Sequence, residues 1–318
     1  MVFSDTLNEQ YHLPVVDFPG VGQEAGLPAA EEVAWRISAG GSYDEVKWPD
    51  AFARFCSTVD ADRVRALVVG AWDSPTRYGP DEVIDALLAA RDRLPALRAL
   101  FLGDMDFMTS ELSWIKQTDV TPLLTAFPEL EEFGVRGSDG LEWHVARHDR
   151  LRRLTVESGG LPAAVVRGIA ASELPALEHL DVWLGTSWYG ADSEPADVAP
   201  ILEGSRLPRL RHLALRDSEI QDAIAVAAAS APVVARLEVL DLSMGTLGDE
   251  GAAALLAGQP LTHLKKLDLH HHYIGEELQE RIRRTLAVEG VDVDLSEDRT
   301  EDDKNEDGTV ARFVAAGE

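Results

Sequence analysis

The chain has 318 residues, 45% of them hydrophobic, which is enough for an extended core in one large domain or two medium ones. Its net charge is -27, with 56 acidic against 29 basic residues, so the backbone of a nucleic acid would be repelled. The single cysteine, Cys56, cannot form an internal disulfide, the first 30 residues do not resemble a secretory signal, and no apolar run approaches the ~18 residues that span a membrane. We therefore expect a cytoplasmic protein without a nucleic-acid or membrane partner.

Residues 1–63 lack the regularity of the later chain and are predicted to form an N-terminal capping region. Residues 33–38, "VAWRIS", alternate as a strand does, and "PDAFARFCSTVDADRV" from Pro49 is typical of a helix. Cys56 lies in this helix near aromatic residues, which favours a packed thiol over a nucleophile. "GVGQEAG" at 20–26 resembles a dinucleotide-binding loop only superficially, because its glycines are misspaced and no strand-turn-helix pattern surrounds it.

From residue 64 onward, one pattern of the form apolar-x-x-apolar-x-apolar recurs along the chain. Each copy alternates with period two, as a short strand with one buried face does. Helical segments follow most copies, and four of them begin at Asp81, Ala163, Asp249 and Gly275. Asp249 is placed to cap its helix and Gly258 to end it. The eight copies begin at residues 64, 97, 130, 151, 177, 210, 237 and 264. One such unit cannot bury its apolar face alone, so neighbouring units must stack into a solenoid.

Residues 237–256, "LEVLDLSMGTLGDEGAAALL", resemble the leucine-rich repeat of the ribonuclease-inhibitor type, and the resemblance extends over about 64–296. It implies an α/β solenoid curved like a horseshoe, with a parallel sheet on the concave face and helices on the convex face. From "YHLPVVDFPG" onward the chain also resembles an actinobacterial family of leucine-rich-repeat proteins that has no assigned activity.

The inner turns depart from the pattern of such repeats, in which an Asn usually bonds exposed backbone groups. That position is held here by Trp72, Met105, Ser138, Gly159, Gly185, Ser218, Gly245 and His272. Without the asparagine ladder, the turns are expected to satisfy their backbone groups with one another or with water.

The chain is thus predicted to have three parts: a capping region at 1–63, about eight repeats at 64–296, and an acidic C-terminal tail at 297–318. "VDVDLS" at 291–296 fits a final edge strand, whereas "EDRTEDDKNEDG" at 297–308 is acidic, poor in apolar residues and typical of a loop or disordered segment. The last ten residues, "TVARFVAAGE", are apolar enough to dock back weakly.

The repeat register predicts which side chains point out of the concave wall, because the residues that flank the central leucines alternate with the core. Early repeats place small or apolar residues there, and later repeats place charged and aromatic residues. Trp and Arg often carry the binding energy of protein interfaces, although polar residues also simply solvate an open sheet. We predict a non-catalytic scaffold without a cofactor, which binds a protein partner on the concave face. The predicted contact residues are Glu132, Arg136, Arg153, Glu157, His179, Asp181, Trp183, His212, Arg216 and Lys266.

A metal-binding or hydrolytic protein is the alternative. Asp241 and Asp268 occupy the same position in neighbouring repeats, and His270 lies two residues beyond on the same face, so three ligands could approach one point. Against this, "LDL" is common in such repeats, and no catalytic motif was found in the sequence. The adjacent His271 and His272 are predicted to leave the strand and to enter the inner turn, so the three rings do not converge on one ion.

Overall fold

The computed structural model describes residues 6–39, 46–300 and 310–316, and the chain divides into two compact units, residues 3–157 and 158–318. Most of the predicted acidic run at 297–308 lies outside the described residues. Within the described ranges, no helix combines the length and the apolar character that a bilayer crossing needs. The boundaries predicted at residues 63 and 296 stay predictions.

The N-terminal unit contains seven strands and three α-helices among its described residues. Strand β1 pairs with β2 in antiparallel fashion, and from β2 to β7 each strand pairs with the next in parallel. The elements are β1 (Glu9–Gln10), β2 (Leu13–Asp17), β3 (Ala34–Ile37), α1 (Trp48–Thr58), β4 (Ala66–Val69), α2 (Asp81–Ala89), β5 (Ala99–Leu102), α3 (Thr121–Ala126), β6 (Glu132–Arg136) and β7 (Arg153–Glu157). The strand and the helix predicted at the N-terminus are confirmed as β3 and α1.

An aromatic cluster holds α1 against β3. Trp35 and Phe55 are fully buried with ring centroids 5.7 Å apart, and Phe52 stacks on Trp48 at 5.0 Å. Such pairs add to the free energy gained by burying large apolar side chains. Cys56 is buried beside them, as predicted for a packed thiol, and its burial raises the pKa of the thiol.

In the C-terminal unit, the residues that the structure describes continue the same strand–helix alternation with five strands and five α-helices. Parallel pairing joins β8 to β9, β9 to β10, β10 to β11 and β11 to β12. The elements are α4 (Ala163–Ala171), β8 (His179–Gly185), α5 (Pro195–Glu203), β9 (His212–Ser218), α6 (Gln221–Ala228), β10 (Val239–Asp241), α7 (Asp249–Ala257), β11 (Lys266–Asp268), α8 (Glu276–Leu286) and β12 (Asp292–Asp294). The edge strand predicted in "VDVDLS" is confirmed as β12.

Buried side chains satisfy backbone groups at several inner turns of this unit. The Gln221 amide donates to the carbonyl of Leu215 at 2.8 Å, and the Gln279 amide donates to that of Ile274 at 2.8 Å. Both glutamines are at least 95% buried, so their amides replace hydrogen bonds that water cannot supply. Backbone groups of neighbouring turns also bond one another, as expected: the N–H of Thr246 donates to the carbonyl of Ser218 at 3.0 Å, and the N–H of Thr186 donates to that of Gly159 at 2.8 Å. The part played by buried glutamines was not predicted.

Acidic residues of one repeat bond the start of the helix in the next repeat. The predicted cap, Asp249, is instead the first helical residue of α7, and its carboxylate accepts the backbone N–H of Gly275 at 2.7 Å. The N–H groups of Gly248 and Gly251 donate to Asp222 at 2.8 and 2.9 Å. The capping prediction for Asp249 was wrong because stacking brings a carboxylate of the preceding repeat to this helix start, whereas Gly258 ends α7 as predicted.

Candidate functional site

Strand register places three columns of side chains on one face of the sheet in the C-terminal unit. The leucines at the alternate positions, such as Leu180 and Leu213, are completely buried in the core. We call the opposite face of β8–β12 the outer sheet face. The columns are His179, His212, Val239 and Lys266; Asp181, Ala214, Asp241, Asp268 and Asp294; and Trp183 with Arg216. The alternation of core and outward-facing residues that the repeat register predicts is thus observed in these strands.

Arg216 connects three residues of the outer sheet face. Its Nε and Nη2 donate to the two carboxylate oxygens of Asp181 at 3.0 and 2.7 Å. Its guanidinium carbon lies 5.0 Å from the centroid of the Trp183 ring, and its Nη1 lies 3.6 Å from Asp241. Bidentate pairing and the cation–π contact fix the plane of the guanidinium. The cluster is therefore rigid, and the Arg216 side chain keeps 19% of its surface exposed.

The indole of Trp183 lies largely under this arginine. The residue is 7% exposed, and its Nε1 has no hydrogen-bond partner among the described residues. A buried indole N–H usually finds an acceptor, since leaving it unpaired costs free energy. Trp183 thus combines a large apolar surface with an unused donor.

A second charged cluster surrounds Asp268. Its carboxylate accepts from the Nδ1 of His270 at 2.7 Å and from the Nζ of Lys266 at 2.8 Å. Although burial opposes ionisation of Asp268, these hydrogen bonds lower its pKa, and the same carboxylate raises the pKa values of His270 and Lys266. Each of Asp268 and His270 therefore favours the charged form of the other.

The ligand atoms that could share a cation differ from the predicted set. Among the described residues, one ligand atom each from Asp268, His270 and Asp294 lie within 4.8 Å of one another. Asp241 instead accepts from the backbone N–H and the hydroxyl of Ser243 at 2.9 and 2.5 Å, and its burial raises its pKa. Asp294, rather than the predicted Asp241, is therefore the third residue of the candidate cation cluster.

His179 and His212 form the exposed end of the first column. They are register partners in β8 and β9, and their ring centroids are 3.8 Å apart. Both are partly exposed, as is Lys266 two strands away. These side chains are the most accessible polar groups of the predicted contact set in this unit.

The four predicted contact residues of the N-terminal unit differ in exposure. Arg136 is 3% exposed, with its Nε donating to Glu157 at 2.6 Å and its Nη1 donating to a backbone carbonyl. Glu132 accepts from Gln10 at 3.1 Å and lies 3.7 Å from Arg153. The side chain of Arg153 is 43% exposed. Arg136 is thus part of a buried ion network, whereas Arg153 offers a surface.

The apolar columns of the N-terminal unit are covered by the chain itself, which the sequence did not indicate. Leu7, Tyr11, Leu13 and Val15 pack on a buried cluster made by Ala34, Ala66, Val68, Ala99 and Phe101. The backbone N–H of Leu7 donates to Asp104 at 3.0 Å, and the Arg65 guanidinium lies 5.0 Å from the Tyr11 ring. The only sign of this cover in the sequence is the row of small and apolar residues, which would otherwise leave an apolar sheet face exposed to water.

The three adjacent histidines have separate environments, as predicted. His270 bonds Asp268 on the outer sheet face. His272 is completely buried, accepts the N–H of Ile274 through Nδ1 at 3.1 Å and donates from Nε2 to the carbonyl of Leu295 at 3.3 Å. The ring of His272 therefore makes hydrogen bonds to the turn backbone, as an asparagine usually does at this position of the repeat. Burial lowers the pKa values of His271 and His272.

The C-terminal residues 310–316 dock on the C-terminal unit, as expected for the last ten residues. Val314 and Ala316 are 8% and 6% exposed. The backbone N–H groups of Ala315 and Ala316 donate to the carbonyl of Met244 at 2.7 Å and to the carboxylate of Asp217 at 2.8 Å. The segment therefore lies along the inner turns, where the strands end.

Comparisons with known proteins agree with this architecture. A family model for the leucine-rich repeat matches residues 237–256. A protein from Bacteroides fragilis, known from a crystal structure, is similar at 27% identity with a TM-score of 0.77, covering 88% of this chain and 77% of that chain. No curated protein is significantly similar. Together with the repeated strand–helix units, these findings support a leucine-rich-repeat protein with an α/β solenoid fold.

Proposed function

We propose that this protein is a non-catalytic interaction module that binds a protein partner on the outer sheet face of the C-terminal unit. The observation that carries the proposal is the Arg216 cluster, in which a tryptophan and an arginine are fixed in place before binding. Tryptophan and arginine dominate the binding energy of protein interfaces, and prior ordering reduces the entropy lost on association. Leucine-rich repeats in general serve protein recognition, which supports the proposal at the level of the fold.

Exposure divides the predicted contact residues into two groups. His179, His212 and Lys266 offer accessible polar groups around the rigid cluster, so we propose that they form the rim of the interface. Asp181, Trp183 and Arg216 would form its centre. In the N-terminal unit, residues 7–15 cover the apolar columns, so Arg153 and Glu157, with Glu132 beside them, are proposed contacts of that unit taken by itself and do not belong to the interface proposed for the C-terminal unit.

The carboxylates of the outer sheet face already have partners, which supports a non-catalytic role. Asp181 and Asp268 each pair with a cation of the protein, and Asp241 bonds Ser243. A general base would need a free position for a substrate proton. We further propose a cytoplasmic location and no nucleic-acid partner, on the grounds of the net charge of -27 and the single cysteine.

Affinity capture with matched variants tests this proposal. His212→Ala with Lys266→Ala alters the rim, and Arg211→Ala with Lys265→Ala removes two basic side chains one residue earlier, where side chains point elsewhere. We expect a partner captured from the native organism by the wild type and by the control, and at least tenfold less of it by the rim variant. A partner retained equally by both variants would overturn the proposal.

A cation site at Asp268, His270 and Asp294 is the second candidate, since their ligand atoms lie within 4.8 Å of one another. Lys266, 2.8 Å from Asp268 and 3.8 Å from Asp294, already supplies a positive charge there. Titration calorimetry with Zn²⁺ should show binding that is lost in Asp294→Ala and kept in Asp292→Ala. If the wild type binds no Zn²⁺, or both variants bind alike, this candidate fails.

A further inference from the structure

Three inner turns of the C-terminal unit share one unusual backbone conformation. Asp217, Met244 and His271 have φ values of 55°, 65° and 54°, in the left-handed region that non-glycine residues seldom adopt. Each lies at or just beyond the C-terminal end of its strand, and the three follow one another at intervals of 27 residues. They therefore form a column at the edge of the sheet, which we call the turn column.

Each residue of the turn column contacts a different residue of the C-terminal segment. The N–H of Ala316 donates to Asp217 at 2.8 Å, and the N–H of Ala315 donates to the carbonyl of Met244 at 2.7 Å. The Nε2 of His271 donates to the carbonyl of Phe313 at 3.0 Å. The segment thus crosses three repeats in the direction opposite to their order.

The spacing of the repeats is within the reach of the C-terminal segment. Residues 311–314 are in neither a helix nor a strand, and Ala315 and Ala316 lie in a turn. Two steps between strands about 4.8 Å apart cover roughly 9.6 Å, and three residues reach at most roughly 10 Å at about 3.3 Å each. Residues 313 to 316 are therefore long enough to bond all three turns. The segment bonds the turn column through its own backbone N–H and carbonyl groups. A peptide of different sequence can therefore make the same hydrogen bonds if its side chains fit.

Side chains add an anchor at one end of this path. The Nη1 of Arg312 donates to Asp222 at 2.9 Å and to the carbonyl of Thr246 at 3.1 Å. A Cβ atom at Gly248 would overlap the guanidinium, so the absence of a side chain there makes room for it. Val314 is buried, whereas Phe313 is 63% exposed and contributes mainly through its backbone.

At the other end of this path lies the buried carboxyl group of Asp217, of which only one oxygen has a hydrogen-bond partner among the described residues. Asp217 is completely buried, its Oδ1 accepts from the segment, and its Oδ2 has no partner among the residues described. Burial raises its pKa to about 7. Backbone N–H groups of a bound peptide are the donors that offset the burial of such a carboxyl group.

We propose that the turn column is a peptide-binding groove for a short segment of a partner protein, with an arginine followed two and four residues later by small or branched apolar residues. The chain's own residues 312–316 occupy it as an intramolecular ligand. This groove is separate from the outer sheet face, so it does not depend on the function proposed above. A partner segment binds by displacing the intramolecular one.

A labelled peptide of residues 310–316, VARFVAA, tests the groove by fluorescence anisotropy on the full-length chain. The wild type should bind it weakly, because a tethered competitor has an effective concentration in the millimolar range. Val314→Asp in the chain puts a charge in an apolar site and releases the tethered segment, so the peptide should bind at least tenfold more tightly. Arg312→Ala is a milder release and should shift affinity in the same direction.

Charge pairing gives the matched control. Replacing arginine by alanine in the peptide should weaken binding to the Val314→Asp chain, and this loss should be much smaller when the chain also carries Asp222→Asn. A peptide in which aspartate replaces the valine that corresponds to Val314 should not bind to the Val314→Asp chain. The groove is refuted if both chain variants keep the wild-type circular dichroism spectrum yet bind the peptide no better than the wild type. A wild-type dimer that Val314→Asp dissociates would also contradict closure within one chain and would assign the groove to a second copy.

Discussion

At the scale of single residues, neighbouring positions of one sequence stretch have opposite acid–base behaviour. The carboxylate of Asp268 favours the charged form of His270, whereas burial disfavours the charged forms of His271 and His272. Alternating side-chain direction at the strand end causes this difference, because successive residues face the sheet surface and the interior.

Nuclear magnetic resonance titration of the histidine side chains tests these environments. We expect His270 to titrate above the ordinary value of 6.5, and His271 and His272 to titrate below it. Spectra of His270→Gln assign the first signal, and Asp268→Asn should return it towards 6.5. Three histidines titrating together would contradict the separate hydrogen bonds.

Asp217 gives a stability prediction with a definite sign. Its pKa in the fold, about 7, lies above the ordinary value of 3.8, so the folded state holds the proton more tightly. Stability from this group is complete below pH 4 and is lost as the pH rises to about 7. Asp217→Asn removes that loss, and the left-handed backbone tolerates asparagine.

Urea unfolding of both proteins at pH 4 and pH 8 measures the effect. The stability of Asp217→Asn relative to the wild type should rise by on the order of 1–3 kcal/mol between the two pH values. Asp92→Asn, with its side chain 93% exposed, is the control and should show no such trend. A relative stability that does not change with pH would count against a buried, protonated Asp217.

At the scale of elements, periodicity predicted the strands and the helices but not what covers them. The repeat in "LEVLDL" and "LKKLDL" sets β10, β11 and their register, because each leucine position reports local burial. Residues 7–15 and 310–316 each dock as a single segment with no repeat of its own. Their contacts join residues about 100 positions apart, which local patterns do not encode.

Contacts between repeats also decide which acidic residue bonds the start of a helix. Asp249 has the type and the place of a cap, but Asp222 holds the two N–H groups of α7. The way in which neighbouring repeats stack determines which carboxylate lies at the start of α7. The change from Asp241 to Asp294 in the candidate cation cluster has the same origin, since Ser243 bonds Asp241 locally.

Asp222→Ala should destabilise the protein by about 1–2 kcal/mol, because two N–H groups at the start of α7 lose their acceptor. The loss of its pair with Arg312 adds to the effect. Guanidinium chloride unfolding at pH 7 measures the change, with the exposed Asp92→Ala as the control. Equal stability of the two variants would refute the role of Asp222 as a cap across repeats.

At the scale of the whole molecule, the acidic composition and the repeat fold point to recognition of a protein. A net charge of -27 attracts cationic partners over long range, so we expect association to slow as salt increases. The N-terminal unit covers its own apolar columns, and the C-terminal unit offers a rigid Trp–Arg cluster with an accessible rim. This contrast places the proposed interface in the C-terminal unit.

Site-specific photo-crosslinking tests this central claim most directly. A benzoylphenylalanine at position 239 replaces Val239, which lies on the outer sheet face between His212 and Lys266, and one at position 238 points away from that face. With the captured partner present, we predict a crosslink from position 239 and little from position 238. Crosslinking from position 238 alone, or none from either position in a complex that still forms, would contradict the account.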